Sequence, residues 1–168
     1  RVLEPDAVAV SVRWEGETAV DLKSIHPAGL FEGRVPHRRP LQPYKLHVRY
    51  ASGVELDKHD AYYFAPQLSD FDLYLFGEGN HYTIYYKLGA HPAELDGLSG
   101  TRFAVWAPNA REVCVIGNFN SWNHGAFYLN SSSNGVWSGF VPGIGAGEHY
   151  KYSLRTPAGE LIQKSDPY

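Results

Sequence analysis

The chain has 168 residues, of which 43% are hydrophobic and 14% aromatic, and its formal net charge is −3. A complete (β/α)₈ barrel takes ~250 residues, so this length excludes a barrel enzyme. The composition predicts a packed core rather than disorder. Because the charge is weakly acidic and no basic stripe occurs, we expect no nucleic-acid partner. The single Cys114 excludes an internal disulfide. The sequence has no apolar run long enough to cross a membrane, so we expect no membrane partner.

Alternation of polar and apolar residues predicts strands toward both ends of the chain. The predicted strands are 7–14, 44–50, 101–106, 112–116, 136–141 and 150–155. Turn sequences rich in Gly, Asn and Pro separate several of them. Short strands with frequent turns are typical of antiparallel sandwiches. Three large aromatic side chains on these patterns are expected in the core, namely Phe31, Trp106 and Trp137.

The middle of the chain has a different pattern. Residues 69–77 begin with Ser69 as a capping residue, continue with an acidic first turn and end at Gly77, which predicts a short helix. A second helix is predicted over 81–88. The resulting fold class is all-β, with two tandem immunoglobulin-like antiparallel β-sandwiches joined by a short helical linker. The predicted boundaries are 1–66 for the first module, 67–92 for the linker and 93–168 for the second module.

The two halves repeat at a fixed offset of 106 residues. The offset pairs Gly29 with Gly135, Tyr44-Lys45 with Tyr150-Lys151, and Asp60 with Asp166, without a gap over 34 positions. Each half is therefore predicted to have the same topology. The same offset places the counterpart of strand 101–106 before residue 1. We therefore expect the first module to lack its opening strand, the alternative being a reduced sandwich.

The sharpest local motif is Gly-Asn-Phe-Asn-Ser-Trp-Asn at residues 117–123. Gly and Asn interrupt a strand here and present Trp122 among amide side chains. An aromatic ring offers an apolar platform for the C–H face of a sugar, and the amides of Asn120 and Asn123 can hydrogen bond to its hydroxyls. The alternative is a tryptophan that caps the core. The pattern alone leaves both interpretations open.

Several motifs together resemble a known family. Residues 103–110, the Trp122 motif and Tyr150-Lys151-Tyr152 resemble carbohydrate-binding module family 48, whose members precede the catalytic barrels of glycogen branching and debranching enzymes. Residues 26–33, 75–79 and 86–92 resemble the longer bacterial 1,4-α-glucan branching enzymes. The resemblance covers essentially the whole chain, and its middle segment is the most specific part.

The resemblance implies a sugar-binding face on the second module. Trp122 would stack on a sugar ring, and Lys151 would add hydrogen-bond donors beside Asn120 or Asn123. The glycogen-binding relatives carry a second stacking ring where this chain has Leu161. One ring of the pair is therefore absent, and binding at this face is expected to be weak. The first module is expected to be structural.

The resemblance also implies a function. The parent enzyme would cut an α-1,4 glucan chain and reattach it through an α-1,6 bond. This chain would hold the α-glucan (glycogen or a maltooligosaccharide) beside the catalytic barrel of the same parent chain, in the cytoplasm. No catalytic residue, cofactor or metal site is expected here.

Two alternatives to this function remain open. One is a purely architectural tandem without glucan affinity. The other is the same module from a debranching or trehalose-forming relative, against which residues 75–79 and 86–92 argue.

Overall fold

The computed structural model describes residues 1–35, 44–60 and 62–168. It forms two compact units, a first unit of residues 1–63 and a second unit of residues 64–168. Each strand pair in the described ranges is antiparallel, so the predicted all-β antiparallel class is confirmed. Within those ranges, none of the helices reaches the length and apolarity that crossing a bilayer requires.

The first unit is built on one six-stranded sheet. Its strands run in the order β1-β4-β3-β2-β5-β6, with bounds β1 (Val2–Leu3), β2 (Ala7–Arg13), β3 (Val20–His26), β4 (Leu30–Glu32), β5 (Lys45–Tyr50) and β6 (Glu55–His59). Alternate residues of the central strands β2 and β5 point to one side, as strand geometry requires. The buried core on that side consists of Val10, Val12, Phe31, Leu46 and Val48.

A buried ion pair joins the two ends of this sheet. Glu4 follows β1 and Lys58 lies on β6, which are the outermost strands of the order. The Lys58 Nζ lies 2.8 Å from the Glu4 carboxylate, and the Tyr50 hydroxyl donates to the same carboxylate at 3.2 Å. Both charged residues are only 7% exposed. The sheet therefore curls until its two ends meet through this pair.

The second unit contains two antiparallel sheets. The strands are β7 (Gly89–Leu95), β8 (Leu98–Trp106), β9 (Glu112–Gly117), β10 (Asn130–Ser131), β11 (Val136–Pro142), β12 (Tyr150–Arg155) and β13 (Leu161–Lys164). One sheet has the order β10-β11-β8-β7 and the other β13-β12-β9. Side chains of both sheets share one buried core, which includes Phe103, Val105, Val113, Val115, Val141 and Tyr152.

The segment before β7 belongs to the second unit. Its helix α1 (Asp70–Gly77) confirms the predicted helix, and the side chains of Ser69 and Asp72 form the expected capping box. The predicted helix over 81–88 is wrong, because the chain forms only a 3₁₀ turn at Ile84–Tyr86 and then enters β7 at Gly89. Leu68 and Leu88 are buried with Ala104 and Val136, so this segment packs on the second unit where the sequence predicts a linker.

The tryptophan of β8 is not a core residue. Trp106 is 55% exposed, in contrast to the prediction. Its ring makes an edge contact with Phe76 of α1, and its indole N–H donates to the Asn134 carbonyl at 3.2 Å. Trp106 thus packs under the helix from outside the sheet, whereas Phe31 and Trp137 do contribute to the cores of their units.

The two units repeat one hairpin in one register. Pairs Leu46–Lys58 and Val48–Leu56 of β5 and β6 have as counterparts Tyr152–Lys164 and Leu154–Ile162 of β12 and β13. Each difference is 106 residues. The hydroxyl of Tyr44 donates to Asp60 at 2.7 Å, and that of Tyr150 donates to Asp166. Because a slip of one residue would exchange the two faces, this agreement confirms the predicted duplication.

The offset changes upstream of the hairpin. Val2 pairs with Phe31, whereas Val105 pairs with Trp137. The differences are 105 − 2 = 103 and 137 − 31 = 106. The second unit therefore has, in total, three more residues between the two members of this pair than the first unit has. β1 is consequently the counterpart of the last two residues of β8. The prediction that the first unit's counterpart of this opening strand lies wholly before residue 1 is wrong, because it assumed a constant offset of 106 residues.

Candidate functional site

The candidate site begins where β9 ends. At Gly117 the chain leaves the sheet and enters a 3₁₀ turn at Asn118–Asn120. The Asn120 side chain holds this turn, since its Oδ1 accepts from the Gly117 N–H at 2.9 Å and its Nδ2 donates to the Val115 carbonyl at 3.0 Å. A Cβ at position 117 would lie 2.4 Å from the His149 carbonyl oxygen, so only glycine fits. Asn120 therefore fixes the turn and retains one N–H and one lone pair for a ligand.

The backbone of the turn presents Trp122 to solvent. Ser121 and Trp122 both have left-handed backbone conformations, with φ of 53° and 58°. Two consecutive non-glycine residues of this kind are uncommon and are often found at functional sites. The Trp122 N–H donates to the Gly117 carbonyl at 2.9 Å, and its indole N–H donates to Asn118 Oδ1 at 3.1 Å. Trp122 is 39% exposed, and of these two hydrogen bonds the first fixes its backbone and the second its indole ring.

Sheet register places Lys151 beside this turn. Lys151 pairs with Ile116, and Tyr150 pairs with Gly117, where the turn begins. Lys151 is half-buried and lies on the sheet face opposite the buried Tyr152. Asn123 is exposed, and its side chain makes no hydrogen bond within the described part of the chain. Trp122, Asn123 and Lys151 therefore all lie at this end of the β9–β12 pair.

The structure does not bring Leu161 to the same end. Leu161 pairs with Arg155, four residues beyond Lys151, so the two side chains share a face but lie about 13 Å apart along the strands. Gln163 pairs with Ser153, which places it on that face between them, and it is exposed. Sequence reasoning missed Gln163 because it did not identify β13 as a strand. All four residues of β13 are exposed, so the sequence there carries no alternation that would have indicated it.

His124 fastens the loop that carries Trp122 onto the sheet. Its Nδ1 lies 2.9 Å from Ser153 Oγ, and its Nε2 lies 3.7 Å from Glu112 and 3.9 Å from Cys114 Sγ. Burial, and then the positive charge of Arg155, lower the pKa of His124 below its ordinary value. This shift favours the uncharged form of the ring. The His124 imidazole covers the middle of the sheet face that carries Lys151 and Ser153. The end of this face beside Trp122 remains accessible.

Two family models match the chain, one for each unit. Residues 87–168 match the model described as carbohydrate-binding module 48, isoamylase N-terminal domain. Residues 1–62 match the model described as alpha-1,4-glucan branching enzyme GlgB, N-terminal domain. The second unit, with its two antiparallel sheets, is thus of the carbohydrate-binding module class.

Curated relatives match along both units. The chain is 49% identical over 168 residues to the 1,4-alpha-glucan branching enzyme GlgB of Rhodopseudomonas palustris, covering 99% of this chain and 23% of the relative. It is 47% identical over 170 residues to the enzyme of the same name from Rubrobacter xylanophilus, covering 100% of this chain and 23% of the relative. The chain corresponds to the N-terminal region of these GlgB proteins.

The chain is much shorter than these relatives, since it spans about a quarter of their length. Among solved structures, a pullulanase from Anoxybacillus matches with a TM-score of 0.40 and 20% identity, over 100% of this chain and 23% of that chain.

Proposed function

We propose that this chain binds and positions α-glucan for a 1,4-α-glucan branching enzyme. The observation that carries the proposal is the half-exposed Trp122 ring, which its indole N–H fixes to Asn118 on a left-handed turn at the end of β9. A ring held in this way can stack on a sugar without first becoming ordered, which lowers the entropic cost of binding. Lys151 and Asn123 would supply donors and acceptors for the sugar hydroxyls.

The proposed partner within the same polypeptide is the catalytic barrel. The relatives are about four times as long as this chain, and 168 residues leave no room for a barrel of ~250 residues. Cutting of α-1,4 chains and their transfer to α-1,6 positions would take place on that barrel, in the cytoplasm.

We also propose two tandem immunoglobulin-like modules, 1–66 and 93–168, with 67–92 between them.

An exposed aromatic segment supports contact with that barrel. Five aromatic side chains between residues 71 and 86 are at least half exposed, namely Phe71, Tyr74, Tyr82, Tyr85 and Tyr86. The rings of Tyr85 and Tyr86 lie 4.3 Å apart. So much exposed aromatic surface in one short stretch is typical of an interaction surface.

We predict that Trp122→Ala abolishes the response of the chain to maltoheptaose. Loss of the ring removes the stacking platform, while the sheet behind it is unchanged. Binding is measured by titration with maltoheptaose, followed by the backbone amide signals of residues 117–124 in two-dimensional NMR. The matched control is Trp106→Ala, which removes another exposed tryptophan of the same unit. If Trp122→Ala and the unaltered chain respond equally, the glucan binds elsewhere and the proposed site is wrong.

Gln163→Trp tests the geometry of the same face. It would place a second ring between Lys151 and the end of the hairpin. Because an aromatic contact is worth about 1 kcal/mol beyond buried area, we expect up to about fivefold tighter binding. Leu161→Trp serves as the comparison, and its gain should be smaller because that position lies farther from Trp122. An equal gain from both would contradict the placement of the site.

The chain alone is expected to form no α-1,6 branches. The reason is the absence of space for a catalytic barrel. The purified chain is incubated with amylose, and new branches are counted after debranching and chain-length analysis. Any increase in branches above that of a boiled sample would refute this prediction.

An architectural role without glucan affinity is the second candidate. Two observations favour it: Leu161 replaces a ring, and both amide atoms of Asn120 already bind the backbone. Retardation of the chain in native gels that contain glycogen separates the two candidates, because an architectural tandem would migrate as it does in plain gels.

A further inference from the structure

A groove crosses the outer face of the first unit. It has a volume of about 420 Å³ and spans β3, β2, β5 and β6. Its polar lining consists of Ser11, Arg13, Asp21, His47, Arg49 and Glu55. The volume lies within the range of ~300–1,000 Å³ that is typical of small-molecule sites.

The groove occupies the counterpart of the face proposed to bind glucan in the second unit. The pairs Ser11–His47 and Arg49–Glu55 of the first unit correspond to Cys114–Ser153 and Arg155–Leu161 of the second. By the same register Lys45 is the counterpart of Lys151. The duplication thus brings polar side chains to the same face in both units.

Loop length explains why this face is open in the first unit. In the second unit, the loop after β9 carries His124, whose ring contacts Ser153 and Cys114 and covers the middle of the face. In the first unit, the connection between β2 and β3 is residues 14–19. It is four residues shorter, since Ser11 pairs with Asp21 whereas Cys114 pairs with Tyr128. The small side chain of Ala19 is what this connection contributes to the lining of the groove.

The groove presents charged side chains of both signs. His47 Nδ1 lies 2.7 Å from Asp57 Oδ1 and its Nε2 lies 3.6 Å from Glu55, which fixes the ring, and Arg13 lies 3.6 Å from the Asp57 carboxylate. The side chains of Arg49 and Asp21 are exposed and make no hydrogen bond or ion pair within residues 1–35, 44–60 and 62–168. Because the groove lining carries charges of both signs, it does not favour a ligand with a strong net charge. A neutral ligand rich in hydroxyls, which both donate and accept hydrogen bonds, fits them best.

We propose that this groove is a second α-glucan-binding site, on the first unit, in which Arg49, Asp21 and His47 hydrogen bond to sugar hydroxyls. The inference rests on the proposed function of the chain. It differs from the Trp122 site because its lining includes no Trp, Tyr or Phe among the residues that the structure describes. Without stacking, its dissociation constant is expected in the millimolar range. Its benefit arises when one long glucan engages both units at once.

The test is an NMR titration of the 168-residue chain with maltoheptaose. Millimolar maltoheptaose should shift the backbone amides of Ser11, His47 and Arg49, and cellohexaose should not. The first-unit shifts should persist in Trp122→Ala, and they should be lost in Arg49→Ala and in Asp21→Asn. Arg34→Ala is the matched control, since Arg34 is exposed and does not line the groove. Dispersed amide signals confirm that each variant is folded.

The outcomes separate the two sites. Shifts confined to the second unit overturn the groove and leave the Trp122 site standing. Shifts in the first unit that disappear in Trp122→Ala also overturn the groove, because they would be transmitted from the other site. Shifts confined to the first unit and lost in Arg49→Ala support the groove and refute the Trp122 site. The absence of any shift refutes both.

Discussion

Replacement of Lys58 by methionine is expected to lower the free energy of unfolding of the first unit by about 3–5 kcal/mol. Methionine keeps the length of the side chain but leaves the Glu4 carboxylate buried without its cation. The hydroxyl of Tyr50 still donates to this carboxylate at 3.2 Å, but it brings no positive charge. A buried, unpaired charge is costly because the surroundings cannot replace its hydration. The loss is larger than for most single substitutions.

The measurement is urea unfolding followed by the indole N–H signal of Trp14, since the first unit contains no other tryptophan. Arg1→Met is the matched control, because it breaks the Arg1–Glu32 pair, whose side chains are 71% and 44% exposed. Such exposed pairs contribute about 0–1 kcal/mol. The double variant Glu4→Leu/Lys58→Met should recover most of the lost stability, since apolar replacement of a whole buried pair is often neutral. A Lys58→Met variant as stable as Arg1→Met would refute the prediction.

Alanine at Gly29 or Gly135 is expected to destabilise its own unit by roughly 2–5 kcal/mol, from the left-handed backbone and the clash together. The φ angles are 87° and 73°. At position 29 a Cβ would lie 2.1 Å from the backbone carbonyl oxygen of Glu4, and at position 135 it would lie 2.6 Å from Pro108 Cα. Both neighbours are backbone atoms and cannot move aside cheaply.

Gly53→Ala and Gly159→Ala supply the controls for these two variants. They are related by the same offset and have φ of 84° and 91°, but a Cβ there would have no atom within 4 Å. At these two positions only the cost of the left-handed backbone conformation remains, which is about 1–2 kcal/mol. Thermal unfolding of all four variants compares the pairs. Equal losses at Gly29 and Gly53 would show that the close approach to Glu4 does not constrain the fold.

The strands that the sequence predicts have at least one buried face. In β2, β5 and β12, apolar residues alternate because one side meets the core, and β9 is an apolar run because both of its faces are buried. β13 is exposed at each position, so its residues carry no alternation and only pairing with β12 makes it a strand. β7 contains Pro92, which argues against a strand in general. It is tolerated because β7 is an edge strand of its sheet.

The candidate site was predictable only in part. The glycine and amides around Trp122 indicate a turn that exposes a ring, and the turn exists. The sequence could not show that both amide atoms of Asn120 bind the backbone, because this depends on the path of residues 115–120. Nor could it show that Leu161 lies at the far end of the hairpin. That distance depends on strand register, which side-chain patterns determine poorly where both faces are exposed.

The four residues added to the loop after β9 have a consequence for how such a chain can diversify. Lengthening a surface connection from residues 14–19 to its longer counterpart costs less than about 0.6 kcal/mol of closure entropy. The paired hairpins on either side keep their register. A longer loop can therefore cover this face of a duplicated unit, and a shorter one can leave it open, while the hairpins beside it keep their pairing. The surface that a unit presents can thus change without a change of its sheet.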